Sequence, residues 1–168
     1  MCDILLAGAT GYIGSAVAMA LVEKGYKVLC PVRQIPKAPL TGVIYEICDC
    51  TDTVAIKQLA QRFSGIEAII SCIASRTGGR QDAWLVDYRA NMTLLETAQE
   101  LAIERFILLS AICVQKPRLE FQHAKRAFEQ KLQASGLTYS IVRPTAFFKS
   151  LAGQVEKVKA GKAFVKFD

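Results

Sequence analysis

From residue 3 to residue 142 the chain alternates short apolar runs with longer stretches whose apolar residues recur at helical spacing. Successive strands separated by helices can share one sheet only if each helix crosses over a face, so this pattern builds a doubly wound parallel sheet with helices on both faces. Six strands are predicted, at residues 3–7, 27–32, 43–48, 68–73, 105–110 and 138–142. The run Ala68-Ile-Ile-Ser-Cys-Ile73 is apolar nearly throughout, as a strand covered on both faces requires. Helices are expected after Gly11, with Ile13, Ala16, Val17, Ala20 and Leu21 on one face and Gly25 at the end. Others are expected from the Thr51-Asp-Thr53 cap to about 63, over 82–102 with Trp84, Tyr88, Leu95 and Ala98 near helical spacing, and over 119–134 before Gly136. Pro144 lies just beyond the sixth strand and keeps it from continuing as a central strand.

A chain of 168 residues suits one core, so residues 1–148 are read as one α/β domain. Residues 149–168, with Leu151, Val155 and Val158 at helical spacing and an alternating Phe164-Val-Lys-Phe167, are read as the start of a further, truncated segment. No apolar run approaches the roughly 20 residues of a membrane span, and the N-terminus enters its first strand without room for a leader segment. The six cysteines sit mostly in or beside apolar runs, and Cys48-Asp-Cys50 has no second ligand pair near it, with the single His123 far away in sequence. Reduced, buried thiols are therefore expected, without a metal. The net charge of +6 is spread over helix faces without a basic stripe carrying stacking aromatics, so no nucleic-acid partner is expected.

The first strand runs into Gly8-Ala-Thr-Gly11-Tyr-Ile-Gly14 at the mouth of a helix. Glycines there let the backbone turn sharply and approach a diphosphate, which the first-turn amides of the helix then bind. This is the dinucleotide turn of a Rossmann-type fold, and Gly8, Thr10, Gly11, Tyr12, Ile13 and Gly14 are the candidate cofactor contacts. The second strand ends in Pro31-Val-Arg33 with no carboxylate to accept from a ribose hydroxyl. A guanidinium can grip a 2′-phosphate with two parallel hydrogen bonds, so NADP(H) is expected over NAD(H). Asp49, just past the third strand, either borders the adenine or begins the cap of the next helix.

Short-chain dehydrogenases carry a Ser after the fifth strand and a Tyr four residues before a Lys on one helix face. Here Ser110 and Lys125 are present, but Phe121 stands where the phenol would be. Phenylalanine has no proton to give a carbonyl oxygen, so carbonyl–alcohol chemistry by that route is not expected. Lys125 is a candidate to hold the nicotinamide ribose, the other reading being a solvated helix lysine.

The stretches 106–117, 120–125 and 138–150, with the glycine turn, resemble the divinyl chlorophyllide 8-vinyl reductases, atypical short-chain dehydrogenases of chlorophyll synthesis, along the whole chain. The missing tyrosine belongs to that family's pattern. The resemblance implies NADPH as reductant, a divinyl chlorophyllide or protochlorophyllide as substrate, and reduction of its 8-vinyl group to ethyl. It also implies peripheral association with photosynthetic membranes, in a bacterial cytoplasm or a plastid. By the same resemblance the Arg143-Pro144 turn borders the nicotinamide, and Phe147 or Phe148 either faces the flat pigment or packs in the core. The family continues past residue 168 with a segment that builds much of its pigment pocket. Two other functions fit a Rossmann body without the tyrosine: a non-catalytic NADP(H) sensor or pigment-complex assembly factor, and a small flavin or biliverdin reductase.

Overall fold

Six strands form where they are expected: β1 (Ile4–Ala7), β2 (Val28–Val32), β3 (Val43–Ile47), β4 (Ala68–Ser71), β5 (Arg105–Leu109) and β6 (Thr138–Val142). The computed structural model describes residues 2–145, 147 and 155–161; Phe148, Leu151 and the 164–167 segment lie outside them. All strands are parallel, in the order β3-β2-β1-β4-β5-β6, so the direction of winding reverses between β1 and β4. The reversal parts the loops leaving those two strands and opens a crevice at their carboxyl ends.

Because successive side chains on a strand point to opposite faces, the sheet feeds two cores. On one face Leu5, Leu29, Ile69, Phe106 and Leu108 pack with Ile56 and Leu59 of α2 (Thr53–Arg62), Leu94 and Ala98 of α4 (Asn91–Glu100), and Phe128 and Leu132 of α5 (Glu120–Gln133). On the other, Leu6, Val28, Cys30 and Val32 pack with Ala18, Val17, Leu21 and Val22 of α1 (Tyr12–Glu23). The stripe that α1 buries differs from the expected one by a residue: Gly14 and Ala18 are buried, whereas Ala16 and Ala20 face outward. The helix turns Gly14 and Ala18 toward the sheet, which lets its axis lie close to β1.

The long helix is also not regular. It starts as α3 (Arg80–Ala83), widens into a π-helical stretch over Trp84–Ala90 and returns to α-geometry in α4. The wide turn shifts the register, so the inward face reads Ala83, Asp87, Ala90, Asn91, Leu94 and Ala98. Trp84, expected on that face, is exposed and stacks edge-on against Tyr88 with ring centroids 5.5 Å apart. A last short helix, α6, spans Val155–Lys159. Among the described residues no helix is long and apolar enough to cross a membrane.

Pro31 sits inside β2, a strand with neighbours on both sides. The β2–β3 ladder runs from Val28 to Val32, but β1 pairs with β2 only at Val28 and Leu29. A proline has no N–H to give a ladder, so it is tolerated where pairing has already stopped.

All six cysteines are free thiols, and burial pushes those of Cys30 and Cys50 up to about 12. Only the thiolate attacks an alkylating reagent. Iodoacetamide at neutral pH is therefore expected to modify the exposed Cys113 first, and Cys30 and Cys50 only after denaturant is added, as peptide mass spectrometry would read out.

Candidate nucleotide-binding site

β1 ends at the crevice and the chain turns there through Gly8, whose φ is +85°. A side chain at Gly8 would meet the backbone of the neighbouring strand: its Cβ would lie 2.7 Å from the Cys72 carbonyl carbon and oxygen. The turn closes with Gly11 N donating to Gly8 O at 3.0 Å, and Gly11 becomes the N-cap of α1. Gly14, one turn on, packs so tightly that a Cβ would stand 2.0 Å from the Gly8 carbonyl oxygen. Glycine at the cap supplies no side-chain acceptor, so the first-turn amides, which no α-helix satisfies internally, are offered to whatever occupies the crevice. A cradle that backbone alone lines, at the positive end of a helix dipole, suits a diphosphate. Thr10, Gly11 and Tyr12 are exposed on its rim and Ile13 is half-buried behind them.

At the β2 end of the crevice Arg33 is exposed just past the strand. The Asp82 carboxyl nearby is held below the usual range by the backbone N–H of Thr77 and then its hydroxyl, with Arg33 contributing less. Arg33 likewise opposes the burial that raises Cys50. Its charge thus acts on the loops that follow both β3 and β4. Asp49 closes its own turn: Oδ1 accepts from Thr51 N and Thr51 Oγ1 at 2.8 and 2.9 Å. The helix cap is Asp52, which accepts from Val54 N and Ala55 N. Of the Thr51-Asp-Thr53 cluster, it is the aspartate that caps.

The other end of the crevice lies over β4 and β5. Gln122 Oε1 accepts from Arg118 N and Leu119 N and fixes the start of α5, which carries Phe121 and Lys125. Lys125 is not a solvated helix lysine; it is 4% exposed. Its Nζ lies 2.9 Å from Asp87 Oδ1 and donates at 3.4 and 3.5 Å to the carbonyls of Ile73 and Leu109, just past β4 and at the end of β5. Ser110 follows Leu109; its N–H donates to Val142 O, and its buried hydroxyl has no hydrogen-bond partner among the described residues. A buried hydroxyl without a partner is costly, and one beside a buried cation fits a polar ligand edge. Phe121 is half-buried, and a Cβ at Gly78 would lie 3.6 Å from its ring. No phenol is present at that position.

The loop after β6 closes this end. Ile112 N donates to Pro144 O at 3.0 Å, and Arg143 is anchored to Glu129 by two hydrogen bonds of 3.0 and 2.6 Å. Phe147 reaches the glycine turn, its ring centroid 6.4 Å from that of Tyr12 at an interplanar angle of 62°. The structure thus brings together Ser110, Lys125 and Pro144 at one end, the glycine turn at the centre and Arg33 at the other. Asp87 and Asn91 were missed by reasoning from sequence. Their signal was a carboxylate and an amide four residues apart on a helix face otherwise built of Ala83, Ala90, Leu94 and Ala98.

A parallel sheet with its reversal at β1 and β4, a side-chain-free cradle at that point and a buried cation beyond it defines a nicotinamide-nucleotide-binding protein. Residues 8–167 match the NAD(P)H-binding family, and the chain belongs to it. Within that class it is 45% identical to the chloroplastic divinyl chlorophyllide a 8-vinyl-reductase of Oryza sativa subsp. indica, over 98% of this chain and 44% of that protein. It is 30% identical to the photosystem II assembly factor Ycf39 of Cyanophora paradoxa, over 90% of this chain and 48% of that protein. The chain spans less than half the length of these relatives. The fold superposes on the Bordetella bronchiseptica enzyme WbmH in complex with NAD+ with a TM-score of 0.77 at 18% identity, covering 96% of this chain and 64% of that one.

Gly14→Ala puts a methyl group against the Gly8 carbonyl, and the turn must open to admit it. Nucleotide affinity measured by calorimetry is expected to fall by at least about tenfold, or roughly 1.4 kcal/mol.

Proposed function

We propose that the chain is the nucleotide-binding portion of an NADPH-dependent reductase that converts the 8-vinyl group of a divinyl chlorophyllide or protochlorophyllide to ethyl. The observation that carries this reading is a complete nucleotide cradle beside a reaction site in which Phe121 replaces the phenol. Bound NADPH supplies a hydride. A carbonyl acceptor would become an alkoxide and need a positioned acid, whereas a vinyl group conjugated to a tetrapyrrole spreads the charge into the macrocycle.

The protein's own part is then mainly placement and exclusion of water. The turn Gly8–Gly14 holds the diphosphate, Arg33 meets the 2′-phosphate, and Lys125 and Ser110 face the nicotinamide ribose. Phe121 and Phe147 supply flat apolar surface. The similarity to the vinyl reductase of rice supports the substrate class. Residues 149–168 are read as the start of the segment that completes the pigment pocket. The similarity to Ycf39 favours a second reading, a nucleotide-binding assembly factor without turnover.

Anaerobic incubation with NADPH and divinyl protochlorophyllide, followed by pigment chromatography, separates the two. Monovinyl product supports the reductase; NADPH binding without product, together with capture of a pigment–protein complex, supports the assembly factor. Arg33→Ala is expected to weaken NADPH about tenfold while changing NADH less than about twofold, as fluorescence titration would show. Equal losses for both nucleotides would remove Arg33 from the 2′-phosphate.

A further inference from the structure

We propose that Asp87 is a positioning residue for the nicotinamide half of the site, holding the Lys125 ammonium at the carboxyl ends of β4 and β5. The inference rests on the nicotinamide-nucleotide reading above and adds to it a residue from a different helix. Asp87 and Lys125 are 1% and 4% exposed, and their charged atoms are 2.9 Å apart. The two carbonyl contacts of Nζ, to Ile73 and Leu109, are long at 3.4 and 3.5 Å. An ammonium has three donors. Here the ammonium is ion-paired with a close carboxylate oxygen that accepts no hydrogen bond, and its two carbonyl contacts are long, so a ribose oxygen can take a donor while the ion pair stays intact.

Asp87 is itself fixed from several directions. Its Oδ2 accepts from Ser75 N at 3.3 Å, in the loop after β4. Its backbone belongs to the π-helical stretch, where a wide turn leaves carbonyls misaligned with the usual donors. Asn91 meets them: Nδ2 donates to Asp87 O at 2.9 Å and to Val86 O at 3.5 Å. Asn91 Oδ1 in turn accepts from Ser71 Oγ at the end of β4. Buried polar bonds thus run from β4 through Asn91 and the wide turn to Asp87, and return through Lys125 to the β4 and β5 carbonyls.

A buried ion pair is a poor source of stability, since an apolar pair of like volume does as well. What this pair does supply is a cation at a defined point, on the side of the β1/β4 reversal away from Arg33 and one residue from the unpartnered hydroxyl of Ser110. In this sheet order the nucleotide runs across the reversal, so its nicotinamide end falls there.

The test compares NADPH with its adenosine half, 2′,5′-ADP, by calorimetry on the whole chain and on Asp87→Asn, Lys125→Met and the charge-free double variant Asp87→Leu/Lys125→Met. Asp87→Asn is expected to weaken NADPH about tenfold and to change 2′,5′-ADP less than about twofold. Lys125→Met should lose about as much, and the double variant no more than Lys125→Met, because Asp87 acts through the lysine. Equal loss of both ligands, no loss of either, or losses that add in the double variant would each overturn the proposal. If Asp87→Asn does not fold, Asp87→Glu, which keeps the charge but displaces the ammonium, takes its place: selective loss of NADPH supports the assignment, and parallel loss of both ligands or loss of neither overturns it. A wild-type chain that binds neither ligand overturns the nucleotide reading as well, a result distinct from any pattern among the variants.

Discussion

The space between Gly14 and the carbonyl of Gly8 admits a hydrogen atom and nothing larger, and most of the architecture follows from that approach. Because the two backbones touch, α1 must begin directly beneath the end of β1, and its axis must run close to the sheet. Gly14 and Ala18 make this possible by being the residues that α1 buries. The same turn presses Gly8 against Cys72, tying the first loop to the far side of the winding reversal. One short segment therefore sets the helix, the crevice and the direction in which the first amides point.

Strands and glycine turn were readable in the residues because their signals are local: short apolar runs, and glycines where a strand meets a helix. The interior of the long helix was not. Regular spacing puts Trp84 inward, but hydrogen bonds from Asn91 to Val86 and Asp87 stabilise a wide turn that puts it outward. Those bonds depend on Ser71 from another element. Lys125 is a candidate from its spacing alone, with a solvated helix lysine as the other reading, and only the pairing with Asp87, thirty-eight positions away, shows why it is inside. Asp49 and Asp52 are a milder case: both were credible caps, and turn geometry gives each a separate task.

Charge is distributed unevenly along the crevice. At one end Arg33 is exposed and free to meet an anion that arrives with its own hydration. At the other, charges come in pairs, Asp87 with Lys125 and Glu129 with Arg143, whose fields largely cancel at a distance and leave a short-range donor and an apolar wall at Phe121. Under the proposed function the first arrangement meets the 2′-phosphate and the second the nicotinamide ribose.

Pro31 adds a mechanical consequence. β1 is laced to β4 at four positions and to β2 at only two, and the pyrrolidine ring cannot contribute another rung. The shortest ladder in the sheet is therefore the one between β1 and β2, on the side of the loop that carries Arg33. β4, by contrast, is laced at four positions to β1 and at four to β5, so these three strands are the more evenly bound part of the sheet.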